Sequence, residues 1–131
     1  AASIANSQVE YTAKLSPSLP LINGDETSLK EVFRNLLKNA YDACLPDKTI
    51  YLEAFHTDSE LIVRIKDTGC GIPEEHLATI FDPFVTHKQD GTGLGLAICH
   101  HVIKAHNGKL EVESTPGIGT TFTVSLPWGE Q

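Results

Sequence analysis

Five of the chain's ten glycines fall between Asp67 and Gly95. They form two clusters, Asp67-Thr68-Gly69-Cys70-Gly71-Ile72-Pro73 and Gly91-Thr92-Gly93-Leu94-Gly95-Leu96, on either side of Ile80-Phe81-Asp82-Pro83-Phe84. Glycine adopts positive φ and lets a backbone approach another group closely, at a cost of about 0.5–1 kcal/mol relative to alanine in regular structure. Two ordinary turns would account for either cluster alone. Both together, downstream of a helix with polar residues at a fixed spacing, point to backbone wrapped around a ligand.

The rest of the chain is that of an ordinary globular domain. Its 131 residues suit one domain, 40% of them are hydrophobic and 21% charged, and a chain of this size buries roughly two-thirds of its unfolded surface. No apolar run approaches the ~18 residues of a membrane span, and no signal-peptide pattern is present. The expectation is a cytoplasmic piece that is not membrane-inserted, whatever anchors its parent. The lack of any methionine predicts that the chain is cut from a longer or processed protein. A net charge of -7 argues against nucleic acid as a partner, because phosphate backbones select clustered Lys and Arg. A small phosphorylated ligand remains compatible with that charge. Cys44, Cys70 and Cys99 have no metal-ligand spacing and read as reduced thiols.

Taken in order, residues 1–7 read as a linker and Gln8 to Lys14 as a strand. Gly24-Asp25 then leads into a helix, with Asp25 as cap. Leu29, Val32, Phe33, Leu36, Leu37, Ala40, Ala43 and Cys44 recur at three- and four-residue steps and predict one buried stripe. Thr49 to His56 and Glu60 to Asp67 read as a hairpin around Thr57-Asp58-Ser59. Pro73 in a first helical position opens a short helix. A longer helix is expected from Leu94 to Asn107, with Gly108 as its stop, and two strands, Lys109 to Glu113 and Thr120 to Leu126, flank Pro116-Gly117-Ile118-Gly119. This order predicts a two-layer α/β sandwich with helices on one face of the sheet.

Two features carry chemistry. Beside the apolar stripe, Glu31, Asn35, Lys38, Asn39 and Asp42 share a strip, so Asn35 and Asn39 project the same way and offer amide oxygens to a hard cation such as magnesium or to its waters. In the second hairpin strand, Leu61, Val63, Ile65 and Asp67 share a face, which puts a carboxylate on the apolar side. There it requires donors, from a ligand or from the turn that follows. The second glycine cluster opens a helix, where free N–H groups and the helix dipole favour an anion. Its spacing fits neither a Walker loop nor a dinucleotide fingerprint, the histidines lack zinc spacing, and no serine-hydrolase elbow occurs.

With these residues in place, the stretch from Gln8 to Pro127 resembles the ATP-binding catalytic domain of sensor histidine kinases, in the superfamily that includes DNA gyrase, Hsp90 and MutL. Asn35-Leu36-Leu37-Lys38-Asn39-Ala40 is similar to its asparagine box, Asp67 to Pro73 to its first glycine box, Ile80 to Phe84 to its phenylalanine box and Gly91 to Leu96 to its second glycine box. Gly119-Thr120-Thr121-Phe122 resembles its closing motif. The resemblance implies an α+β Bergerat-type fold with a mixed, mainly antiparallel sheet over residues 8–131, and ATP with Mg2+ as cofactors. It implies that Asp67 accepts the adenine amino group with Thr121 in support, within a pocket that includes Gly69, Gly71, Ile72 and Phe84. It also implies that Asn39 holds the metal and that Asn35 lies near the phosphates. It further implies that Gly91, Thr92, Gly93, Leu94, Gly95 and Leu96 surround the phosphate chain and that Lys88 approaches it from a short lid.

ATP-hydrolysing members of that superfamily carry a glutamate four residues before the metal asparagine. Here that position is Asn35, which cannot act as a base. The resemblance therefore implies transfer of the terminal phosphate to a histidine, with Asn35 and Lys88 as catalytic residues. None of the six histidines has the acceptor context, so the acceptor and dimerisation domain is expected on another segment and a response regulator downstream. The alternatives are an anti-sigma-type serine kinase, expected to lack Phe81-Asp82-Pro83-Phe84, and a non-catalytic nucleotide-binding scaffold, expected to have lost Asn39, Asp67 or the glycines.

Overall fold

A computed structural model describes residues 10–16, 24–43, 49–82 and 95–128. The expected linker and six candidate site residues, Phe84, Lys88, Gly91, Thr92, Gly93 and Leu94, lie outside them. The elements are β1 (Glu10–Leu15), α1 (Glu26–Ala43), β2 (Thr49–His56), β3 (Glu60–Asp67), α2 (Glu74–Leu77), α3 (Gly95–Ala105), β4 (Lys109–Thr115) and β5 (Gly119–Pro127). The strands form one sheet in the order β1-β2-β3-β5-β4. β1 runs parallel to β2 and every other pairing is antiparallel, so the sheet is mixed and mainly antiparallel as expected.

Alternation along the strands decides which face is covered. Across the inner strands, Ile65 pairs with Leu52 and Phe122, and Val63 with Ala54 and Val124. This face meets Val32, Leu36 and Ala40 of α1 and Cys99 and Ile103 of α3 in one core. The other face carries Tyr51, Glu53, Arg64 and Lys66, where Arg64 pairs with Glu53 at 3.4 Å and lies over the Phe55 ring. Among the described residues, α1 and α3 therefore cover one face of the sheet, which makes the two layers of the expected sandwich. Each fully buried Leu, Ile or Val, such as Leu36, Ile50, Ile65 and Val124, contributes about 1.5–3 kcal/mol by leaving water.

Capping fixes the ends of the main helices. The Asp25 carboxylate accepts the backbone N–H of Ser28 at 3.2 Å and the Ser28 hydroxyl, a side-chain cap at the start of α1. Those bonds, the Ser28 hydroxyl first, hold the Asp25 carboxyl below its ordinary pKa. At the end of α3, the backbone N–H of Asn107 bonds the Lys104 carbonyl and that of Gly108 the Ile103 carbonyl, the two bonds of a Schellman turn.

Two sequence expectations are corrected here. The helix expected to run to Asn107 ends at Ala105, and Asn107 takes the left-handed conformation of the turn, with φ 62°. Gly108 is needed next door, because a Cβ there would lie 2.3 Å from the Ser125 carbonyl oxygen. Pro73 precedes α2 in an extended conformation, φ -57° and ψ 143°, and so stands before the first helical position.

α1 and α3 lie side by side and antiparallel. Gly95 sits against Asn35, the Cys99 thiol reaches the Val32 carbonyl at 3.6 Å, and His106 Nε2 accepts the Asp25 backbone N–H at 3.0 Å. His106 Nδ1 in turn bonds the Val102 carbonyl at 2.8 Å, so one imidazole ties the end of α3 to the start of α1. At the same end of the sheet, the Trp128 indole N–H donates to the Thr57 carbonyl at 2.8 Å and its backbone N–H to the Ser59 carbonyl at 3.1 Å. This closes the described chain onto the β2–β3 turn.

Candidate functional site

The site begins at the end of β3. Asp67 is 2% exposed, and its strand neighbours are Ile50, itself fully buried, and Thr120 at 4%. Strand alternation thus carries a carboxylate onto the core face. Gly69 donates its backbone N–H to Asp67 Oδ1 at 2.9 Å, and the Thr120 backbone supplies a second bond. Burial outweighs both and pushes the Asp67 carboxyl above its ordinary pKa. An ionised carboxylate offers about four acceptor positions. The two backbone donors leave it capacity for a further donor.

Thr121, expected to support Asp67, lies on the opposite face. β5 pairs Thr120 with Asp67 and Thr121 with Lys66, and neighbouring residues of a strand point to opposite sides. The residue beside the carboxylate is Thr120. Alternation of Phe122, Val124 and Leu126, all buried, extends to Thr120 and carried that signal in the sequence.

The first glycine cluster leaves β3 as a tight loop. Gly71 has φ 76°, and a Cβ there would lie 2.3 Å from the Thr115 carbonyl oxygen, so glycine is required on both counts. Ile72 packs against the core. The phenylalanine segment follows, with Ile80 buried. The Phe81 ring stacks on His100 of α3, centroids 5.0 Å apart, and meets Phe122 edge to face at 6.5 Å. No motif in the sequence announced the contact of His100, or that of His106.

Asn35 of the asparagine strip faces the start of α3. Asn35 and Asn39 are half-buried, whereas Glu31, Lys38 and Asp42 are exposed. The Asn35 amide N–H donates to the Glu31 carbonyl at 3.0 Å. Its Oδ1 is turned toward Gly95, where an added Cβ would stand only 3.3 Å away. Glu31 is held by Arg34 at 2.9 Å, and Lys38 by Asp42 at 3.3 Å. Leu96 turns into the core. The structure thus brings together Asn35 and Gly95 at one end of the helix pair, and Asp67, Gly69, Gly71 and Ile72 at the sheet end.

Magnesium prefers oxygen ligands and retains waters, so one or two side-chain oxygens plus phosphates suffice to hold it. The amide oxygens of Asn35 and Asn39 fit that donor set. Among the described residues, no group of three or more His, Cys, Asp and Glu could hold a metal ion; the Cys99 thiol is buried with its pKa pushed up to about 12 and Cys70 is exposed.

Residues 24–130 match the family of histidine kinase-, DNA gyrase B- and HSP90-like ATPases. The chain belongs to this family. Sporulation kinase C of Bacillus subtilis is 43% identical over 107 residues, which are 82% of this chain and 25% of that protein. The signal transduction histidine-protein kinase AtoS of Escherichia coli is 42% identical over 125 residues, 95% of this chain and 21% of that one. The chain therefore spans a quarter or less of these relatives. Among solved structures, the catalytic domain of histidine kinase ThkA superposes with a TM-score of 0.86 at 31% identity, over 96% of this chain and 83% of that one. Full-length ShkA in complex with AMPPNP gives 0.84 at 30% identity, over 97% and 27%. Within the ATPase family, this chain is an ATP-binding catalytic domain of the histidine-kinase type, with the Bergerat-type fold.

Proposed function

We propose that this domain binds ATP with Mg2+ and passes the terminal phosphate to a histidine on a separate dimerisation and phosphoacceptor domain of its parent, for relay to a response regulator. The observation that carries this reading is the placement of Asn35, with its amide oxygen against Gly95. The first turn of α3 is where backbone N–H groups can meet phosphate oxygens. An amide at that position can orient phosphate or metal-bound water but cannot accept a proton from water, which disfavours hydrolysis. Glu31, one turn back, is engaged by Arg34.

Asp67 accepts the adenine amino group, with the Gly69 and Thr120 backbones holding its carboxylate in place. Asn39 holds the metal, which neutralises charge on the phosphates when bound. Leu96, packed on the core, fixes the first turn of α3 beneath them. Lys88, Gly91, Thr92, Gly93 and Leu94 are assigned to the phosphates and Phe84 to the adenine pocket, as the family resemblance implies. Such a site works by positioning and electrostatics, because phosphoryl transfer needs little covalent chemistry from the protein.

The test uses γ-labelled ATP and Mg2+. With a fragment carrying the parent's acceptor helices, acid-labile label is expected on that fragment. The chain alone is expected to show neither self-labelling nor appreciable release of inorganic phosphate. Rapid hydrolysis by the chain alone would refute the role of Asn35, and label on a serine would favour the serine-kinase alternative.

A further inference from the structure

The turn between β4 and β5 is packed against the loop that follows Asp67. The backbone N–H of Ile72 donates to Ser114 Oγ at 2.7 Å, and that of Gly117 to the Cys70 carbonyl at 2.8 Å. Gly71 is pressed onto the Thr115 carbonyl, and a Cβ at Gly119 would lie 2.0 Å from the Asp67 carbonyl oxygen. Ser114 also contacts the Gly119 carbonyl at 3.0 Å and Thr120 Oγ1 at 2.8 Å. A serine hydroxyl has one proton and two lone pairs. With its proton given to Gly119, it accepts from Ile72 on one side and from the Thr120 hydroxyl on the other, and its capacity is filled. Thr120 is the residue paired with Asp67.

We propose that Ser114 is a positioning residue of the nucleotide site. Its hydroxyl joins the glycine loop on one side of the base to the Thr120–Asp67 pair on the other, so the β4–β5 turn forms a rigid back wall for adenine. This rests on the assignment of Asp67 to the base. A hydroxyl that merely satisfied the Ile72 N–H would contribute to stability and leave affinity unchanged in the folded protein.

The experiment is calorimetric titration of this chain with ADP and with AMP, well below the unfolding midpoint of each variant. Ser114→Ala removes a neutral hydrogen-bond hub, so a loss of roughly three- to tenfold in affinity is expected. It should be equal for the two nucleotides, because the defect lies at the base end that they share. Ser114→Cys, close in size but a weak hydrogen-bonding group, carries the same expectation if the alanine variant does not fold. An ADP affinity within twofold of wild type in a folded variant would overturn the proposal, as would a loss confined to ADP. Asp67→Asn, titrated in parallel, separates two failures. If it leaves ADP affinity unchanged, the assignment of the base falls; if it weakens binding and the Ser114 variants do not, only the wall falls.

Discussion

At the scale of single residues, Asp67 is held in tension between stability and binding. Its carboxyl is raised in pKa by burial, so the folded protein holds that proton more tightly than the unfolded chain does. The contribution of this group to stability is therefore full below the ordinary carboxylate pKa and is lost as pH rises through the raised value. Without nucleotide, the domain should lose stability across that window, and Asp67→Asn should remove that component of the slope. The same substitution should weaken ADP binding about tenfold to a hundredfold, the worth of a charge-assisted hydrogen bond of ~1.5–3 kcal/mol. Denaturant titrations across pH and ADP calorimetry check the two halves. Asp67 was legible because Leu61, Val63, Ile65 and Asp67 follow at two-residue steps, even though Ile62 adds an apolar residue to the other face. Thr121 was misplaced by one residue, and in a strand one residue is the whole difference between the two faces. Ser114 and His106 were not legible, since a hydroxyl or an imidazole acquires its partners only when distant elements meet.

At the scale of elements, the pair α1 and α3 sets the approach of Gly95 to Asn35. Their antiparallel register is held by apolar packing along the middle and by His106 at the far end. His106→Ala should cost about 0.5–1.5 kcal/mol for the lost hydrogen bonding, measured by denaturant unfolding. Nucleotide affinity should change less, because the contact of Gly95 with Asn35 lies at the other end of the pair. The bounds of the β2–β3 hairpin were legible because the polar Thr57-Asp58-Ser59 turn separates two strands rich in apolar residues. The stop of α3 was harder, because two adjacent residues divide two demands. Asn107 takes the left-handed backbone, which asparagine tolerates, and Gly108 takes the close approach, which only glycine allows.

At the scale of the whole molecule, the two-layer plan was readable from the order of elements, but the parallel placement of β1 beside β2 was not, since no local pattern tells an edge strand which neighbour it joins. One sheet links two remote ends. Asp67 and Thr120 stand at one end of the β3–β5 ladder, while Glu60 and Pro127 stand at the other, roughly 23 Å away along the strands at about 3.3 Å per residue. The chain's single tryptophan sits just past that far end, its indole fastened to the β2–β3 turn and its ring edge against His56. Its emission is therefore an intrinsic optical gauge of global unfolding, expected to stay silent when the nucleotide site fills. Saturating ADP should leave the native spectrum of Trp128 unchanged yet move its denaturation midpoint upward, so ligand affinity can be read from the displacement of a melting curve without any label on the protein.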